Sequence, residues 1–426
     1  MSAETSLSAP ATSPKPAHKP LHETELIWMM AMLMALQAFG IDAILPALDE
    51  LALALTVEGN DRQFVIGVYL LTAGIGALVP GALADRFGRR PVLLGSIAVY
   101  IALSLASAMV TTFDQLIAVR AAQGFFGAGI VALPPAIIRD RVGGDKMARM
   151  MSLIFVIFLM VPAIAPSIGE LILLVADWRA IFVAMAVQGI LVGCWVYFRL
   201  PESLTDENRQ AILPGVIARN MARALSLRSV AGYIIGSSLV FGALFGFINS
   251  AQQLITETFG AGDIFPFVFA ICAGSMAFAS WSNSRIVERF GARRVSHTAL
   301  FVFIGVASLQ VYFAYQPDET LWQFVPLMAI NMMLLGFIGS NFGAIAMNPF
   351  FAIAGAASSA HGFVRMTTAA LLGGLIGYSF DGTAQPLALA LLASGLACLA
   401  LVLFSEKGKL FGPPDAALGP TKMRNI

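Results

Sequence analysis

Apolar runs and short polar breaks alternate along the whole chain, and the runs have one characteristic length. A transmembrane helix needs ~20 mostly apolar residues. Runs of that size lie at 26–48, 63–83, 91–111, 115–138, 150–174 and 179–199, then at 230–254, 264–284, 295–315, 321–346, 358–380 and 385–404. Between the sixth and seventh sits the polar stretch PESLTDENRQAILPGVIARNMARALSLRS. The pattern predicts an all-α membrane protein with twelve transmembrane helices in two six-helix bundles. The expected organisation is a disordered cytoplasmic tail over 1–24, an N-terminal bundle over 25–199, a cytoplasmic linker over 200–228, a C-terminal bundle over 229–405 and a cytoplasmic tail over 406–426. Pro10, Pro14, Pro16 and Pro20 among Ser, Ala and Thr mark the first tail. The first apolar run exceeds signal-peptide length and reads as a retained span. In the linker, Arg219 and Arg223 fall one helical turn apart between apolar residues. The segment is either an amphipathic helix on the membrane surface or a solvated connection.

Loop charge orients the spans. One alternating set of loops carries Arg86, Arg89, Arg90, Arg139, Arg141, Lys146, Arg149, Arg209, Arg219, Arg223, Arg228, Arg285, Arg289, Arg293 and Arg294. The other carries Glu58, Asp61, Asp177, Glu257, Asp263, Asp318, Glu319 and Asp381, with Arg62 and Arg179 as its basic residues. Positive charge stays on the cytoplasmic side, so both termini are expected there. Composition agrees: 58% of residues are hydrophobic and 12% charged, against about 25% charged in soluble domains. A net charge of +1 argues against nucleic acid as a partner. Cys194, Cys272 and Cys398 lie far apart in apolar runs and read as small hydrophobes, not metal ligands or disulfides.

Between spans two and three lies GALADRFGRRPVLL, with Gly81, Asp85, Arg86, Gly88, Arg89 and Arg90. Gly88 suits a tight turn at positive φ, and Asp85 can pair with arginines or with a helix dipole. DRFGRR (85–90) returns as ERFGAR (288–293), bringing Glu288, Arg289, Gly291 and Arg293 to the equivalent loop of the second bundle. Parallel repeats of this kind are typical of transporters whose halves rock about a central site, and they make the two bundles pseudo-symmetric. GALADRFGRR resembles the signature loop of the major facilitator superfamily. VRAAQGFFGAG in span four and VPAIAPSIGE in span five, with Pro162, Pro166 and Gly169, are similar to the proton-antiporter motifs of that superfamily. GIDAILPAL in span one and AGAASSAHGFVRMTTAALLGG in span eleven resemble its bicyclomycin-resistance (Bcr/CflA) branch of drug:proton antiporters. Three positions depart from the pattern: Glu170 follows Gly169 in place of a second glycine, Arg365 stands where a glutamine is usual, and Met34 where some relatives have a second carboxylate.

The resemblance implies the MFS fold and multidrug efflux by rocker-switch alternating access, with proton antiport, in the bacterial inner membrane. The partners are then protons, a small-molecule substrate such as an antibiotic or metabolite, and the lipid bilayer, with the protein acting as a monomer. A dedicated importer or exporter of one metabolite, on the same fold, is the alternative. No cofactor or metal is called for. A Walker-type Gly-x4-Gly-Lys-Ser/Thr loop is absent from the sequence. An intramembrane enzyme would want paired His or carboxylates within the spans, whereas His18, His22, His297 and His361 fall in the tail or near span ends. A sensor would want a sizeable extramembrane domain.

The candidate chemistry centres on Asp42, a carboxyl inside span one. Intramembrane ionisable groups usually face a bundle interior or an aqueous cavity and mark transport pathways. Arg120 in span four falls at comparable depth, in the outer half of the membrane. Two readings stand: the pair exchanges a proton when substrate displaces Arg120 or excludes water, or a permanent ion pair fixes helix register. The expected substrate cavity takes Gln37, Phe39, Tyr69, Gln123, Phe245, Asn249, Asn341 and Arg365 as lining. In such a cavity Arg365 favours neutral or anionic substrates. Its other reading is an interfacial arginine whose stem snorkels to the headgroups. Pro162 and Pro166 are expected to bend span five, and Gly169 to allow close helix contact where the halves meet.

Overall fold

The computed structural model describes residues 21–142, 144–204, 215, 222, 226–347 and 354–411. The expected tail is thus described only from residue 21, and most of the linker and of the C-terminal tail lies outside the described residues. What is described is helical, with no strand. Each of the twelve apolar runs falls on helix. Among the described residues nine helices are long and apolar enough to cross a membrane, or ten when one bent pair counts as a single span.

Two of the runs are broken. The first forms α1 (Glu23–Asp42), a 3-10 turn (Leu45–Ala47) and α2 (Leu48–Ala54). The second forms α3 (Phe64–Gly76) and α4 (Pro80–Phe87), bent by 44°. The same cause acts in both. Proline lacks the N–H that would bond to the carbonyl four residues earlier. Pro46 deprives Asp42 and Pro80 deprives Gly76, and those are the residues on which α1 and α3 end. Then come α5 (Arg89–Met109), α6 (Phe113–Arg139), α7 (Gly144–Leu173) and α8 (Arg179–Arg199). The second half holds α9 (Arg228–Gln253), α10 (Phe265–Phe290), α11 (Ala292–Ala314), α12 (Leu321–Met347), α13 (Ala354–Tyr378) and α14 (Gln385–Ser405). Pro162 and Pro166 lie inside α7, which stays helical through both.

The two halves use one packing scheme. α1 lies on α7 as α9 lies on α13; α3 lies on α6 as α10 lies on α12; α5 lies on α8 as α11 lies on α14. Across the halves, α3 packs on α13 and α10 on α7, a pair of contacts related by the same exchange. Helix exposure locates the centre. In the stretch from α1 through α2, 89% of the most apolar window is inside the protein, and in α9 72%, against 28% in α5. The first helix of each half is therefore central, and α5 turns largely outward.

Glycine sets the closest approaches. Gly67 of α3 faces Gly374 of α13, where an added Cβ would meet the opposite Cα at 4.0 Å, and Gly74 faces Met366 at 2.9 Å. At the basic-loop end, Gly88 (φ 101°) and Gly291 (φ 81°) each form the corner between an even-numbered and an odd-numbered helix. The sequence repeat DRFGRR/ERFGAR is thus a repeat of backbone geometry as well.

Candidate transport site and its gates

Asp42 is the last residue of α1 and 3% exposed, and its Oδ1 has no hydrogen-bond partner. The break that Pro46 imposes places this carboxyl at a helix end inside a membrane-spanning stretch. From α7, Gly169 packs against that break: a Cβ there would come within 2.1 Å of the Ala43 carbonyl oxygen and 3.1 Å of Pro46. The close contact expected of Gly169 exists, but it is made to α1 within its own half and not between the halves.

Arg120 is fully buried and turns to other partners. Its Nη2 donates to the Gly40 carbonyl at 2.9 Å, its Nη1 to Gln123 Oε1 at 2.8 Å and its Nε to the Val65 carbonyl at 3.2 Å. The guanidinium lies 4.1 Å from the Tyr69 ring centroid. Among the described residues no ion pair joins Arg120 to Asp42, so the permanent pair entertained from the sequence is not formed. The physical reason is the helix end. The last carbonyls of an α-helix lack intrahelical partners, and a cation there also meets the negative end of the helix dipole. Arg120 on α6 therefore caps α1 and ties it to α3.

The other expected cavity residues divide by what they touch. Gln123 is fully buried and donates to Ser104 Oγ at 2.7 Å while holding Arg120. Asn341 is taken up between α12 and α10, donating to Asn283 Oδ1 at 2.7 Å and the Phe337 carbonyl at 2.8 Å. In both cases the bonds tie one helix to another. Unfilled polar atoms remain on Gln37 (Oε1), Tyr69 (the hydroxyl) and Asn249 (both side-chain atoms). Phe39 is buried. Phe245 and Arg365 keep partial exposure, and the Arg365 guanidinium lies 5.1 Å from the Phe241 ring centroid.

The loop between α4 and α5 is held within its own half. Arg89 pairs with Asp85 at 2.6 Å and with Asp140, at the end of α6, at 2.9 Å. Glu202, just past α8, accepts from the backbone N–H groups of Arg89 (2.9 Å) and Arg90 (3.1 Å). Arg90 also donates to the Tyr197 carbonyl at 2.6 Å, while Arg86 lies over the Phe87 ring at 5.3 Å. A Cβ on Gly81 would meet open space. The echo repeats the plan: Arg293, at the start of α11, pairs at 2.9 Å with Glu406, just past α14. Arg289 lies over the Phe290 ring at 5.4 Å. The side chain of Glu288 lies outside the described residues.

A second constellation, at the acidic-loop end, joins residues that the sequence offered only as loop charges or not at all. Arg62 bridges Asp49 of α2 and Glu257 beyond α9. Gln252 donates to Asp49. Gln63 donates to Gln253 Oε1 at 2.6 Å, and Gln253 to Asn60 Oδ1 at 2.9 Å. Asn60 donates in turn to the carbonyls of Tyr378 (2.9 Å) and Phe380 (2.8 Å). These bonds cross between the halves and latch them at this end. Beside the latch is a cavity of about 440 Å³ lined by Asp49, Arg62, Gln253 and Glu257 among others. The signal available in the sequence was sign. Arg62 stands in the acidic loop set, while Asp140, Glu202 and Glu406 stand in or beside the basic one.

Comparison with known proteins agrees with this architecture. The family described as Major Facilitator Superfamily matches residues 28–378. A bicyclomycin resistance protein homolog of Haemophilus influenzae is 31% identical over 362 residues, covering 85% of this chain and 91% of the relative. The multidrug resistance protein MdtL of Escherichia coli O9:H4 is 28% identical over 385 residues, covering 88% and 94%. A solved D-xylose–proton symporter superposes with a TM-score of 0.68 at 16% identity, covering 91% of this chain and all of the symporter. The human organic anion transporter MFSD10 does so with a TM-score of 0.64 at 15% identity over the same shares. The helix pairing repeated in both halves and the sequence match over most of the chain lead to one statement: this multi-pass membrane protein belongs to the major facilitator superfamily of transporters and is not an enzyme.

Proposed function

We propose that the protein exports a small amphipathic molecule in exchange for protons, with Asp42 as the proton-exchanging group and rocking of the two halves as the transport motion. One observation carries the reading: a buried carboxyl with an unfilled oxygen sits at the broken end of the central helix α1. Such a group marks a pathway. Arg120 takes a supporting role, since by capping α1 it fixes where the carboxyl stands. The direction of export rests on the relatives named for bicyclomycin and multidrug resistance.

In this reading the basic loops and both termini face the cytoplasm of a bacterial inner membrane. The latch of Arg62, Asp49 and Glu257 is then the outer gate, closed, and the two glycine corners with their arginines belong to the inner gate. The protein works as a monomer, with the linker over 200–228 joining bundles over 25–199 and 229–405. Proton entry contributes ~2.3 kcal/mol per 100 mV of membrane potential. A dedicated carrier of one metabolite is the second reading, favoured by Arg365, a charge that restricts what the path accepts.

The test is reconstitution in proteoliposomes carrying a pH gradient, with antibiotics and metabolites screened for gradient collapse. Substrate-driven proton flux is expected from the native protein. Asp42→Asn is expected to abolish it while leaving the melting temperature and substrate binding in place. Proton flux unchanged in a well-folded Asp42→Asn protein would overturn the assignment.

A further inference from the structure

Arg365 has no acid to answer it among the described residues. It lies on α13, within a membrane-spanning helix, where a guanidinium costs ~2.5–3.5 kcal/mol on insertion scales. Buried charges are ordinarily paired. Among the described residues no carboxylate comes within ion-pair distance of Arg365, and its Nε is buried without a hydrogen-bond partner. The nearest titratable neighbour on its own helix is His361, one turn away, whose ring approaches Ser237 at 3.4 Å.

The side chain does not escape to the headgroups. Its guanidinium lies over Phe241 of α9, inside the second half. Gly339 of α12 lies close to the same ring, since a Cβ there would stand 2.7 Å from it. Snorkelling would carry the charge away from α9 and α12. Here it lies against an aromatic ring of α9.

Phe241 belongs to a defined strip of α9 that faces α13. From Val240 to Gln253 every residue is buried except Phe241 and Phe245. These two share a face with Asn249, at steps of four residues. Asn249 packs against Gly373 and Gly377 of α13, and both of its polar atoms are unfilled. The strip thus offers a cation at one end, two aromatic rings beside it, and an amide with donor and acceptor free about 12 Å further along the helix.

We infer that Arg365, Phe241, Phe245 and Asn249 form the charge-selecting part of the substrate path, and that its occupant is a small organic anion. The occupant carries one carboxylate, sulfonate or phosphate on an apolar, preferably aromatic, body. The anion completes the ion pair that the protein lacks, the rings take the apolar body, and Asn249 reads a polar group at the far end. The inference rests on the transport reading for the existence of the path and adds the charge of what travels through it.

The test compares dansylglycine, an anion, with dansylglycinamide, its neutral counterpart, binding to the purified full chain. Energy transfer from tryptophan to the dansyl group reports occupancy. A charge-assisted contact is worth ~1.5–3 kcal/mol, so the anion is expected to bind ~10-fold tighter or better. Arg365→Gln is expected to bring the two probes together, and Arg365→Lys, which keeps charge but not the planar fork, to retain part of the difference. Equal binding of the two probes to the native protein, binding of neither, or a preference that survives Arg365→Gln in a monodisperse variant overturns the inference. Asp42-dependent proton flux without any anion preference sinks this inference alone, whereas anion preference without that flux sinks the antiport reading alone.

Discussion

Arg120 illustrates how one residue in a membrane interior is fixed by unmet backbone needs. It fills carbonyls on α1 and α3 and is held by Gln123 from its own helix. Arg120→Ala leaves the Gly40 carbonyl and Gln123 Oε1 without this donor, and each buried unfilled group costs ~1–3 kcal/mol. A stability loss on the order of 2–5 kcal/mol is therefore expected in detergent unfolding, with Arg120→Lys intermediate because an ammonium cannot span the same fork. The partners of Arg120 were not legible in advance, because position along a helix fixes height and leaves rotation open. Charge sign was the more informative cue. Residues whose sign opposes that of their loop set turn out to be the paired ones, as with Arg62, Asp140, Glu202 and Glu406. Glu319, in the loop between α11 and α12, is half-buried with an unfilled Oε1, and burial pushes its carboxyl up to about 7. Its folded-state proton is held more tightly than in the unfolded chain, so it favours folding below the ordinary carboxylate range near 4.5. That contribution drains away as pH rises to about 7 and is gone above it. Glu319→Gln is expected to flatten this part of a melting-temperature profile.

At the scale of elements, the twelve runs were legible because a bilayer imposes one length on every span. The two breaks were legible in principle as well: Pro46 and Pro80 each end a helix four residues upstream. They escape a reading by hydropathy, which stays high across both breaks. The glycine corners separate two contributions that usually arrive together. Gly88 and Gly291 both hold positive φ with ψ near 150°, a region that costs an L-residue roughly 1–3 kcal/mol. A Cβ on Gly291 meets open space, whereas on Gly88 it would stand 2.6 Å from a Glu202 carboxylate oxygen. Gly291→Ala is expected to lower stability by the backbone term only. Gly88→Ala should cost more and also detach Glu202, which a melting series on the two variants and on Gly88→Ala/Glu202→Ala would display. The neighbour of Gly169 on α1 was not legible, since sequence says that a small residue touches something and not what.

For the whole molecule, the latch at the acidic-loop end is where side chains of the two halves are tied together. Arg62 is held by carboxylates from both halves, and the rings of Phe64 and Tyr378 come within 6.1 Å across the same seam. Cysteines placed at 64 and 378 are expected to cross-link readily in the native background. Arg62→Ala should lower the yield by freeing Asp49 from Glu257. None of these pairings was visible beforehand, because cross-half contacts join residues 190 to 320 positions apart and leave no local pattern.

The proline break in the first span has a further effect through the covalent chain. Asp42 ends α1, Asp49 sits in the first turn of α2, and only a 3-10 turn separates them. The carboxyl proposed to exchange protons and the carboxylate that holds the latch are therefore two ends of one short rigid arm. No signal has to travel through side-chain packing from one to the other. A movement at Asp42 of the kind that charging would cause is delivered to the seam by the backbone itself, as a crank delivers rotation to a bolt. The same cross-link between 64 and 378 should then change its yield in Asp42→Asn, with Arg62 untouched.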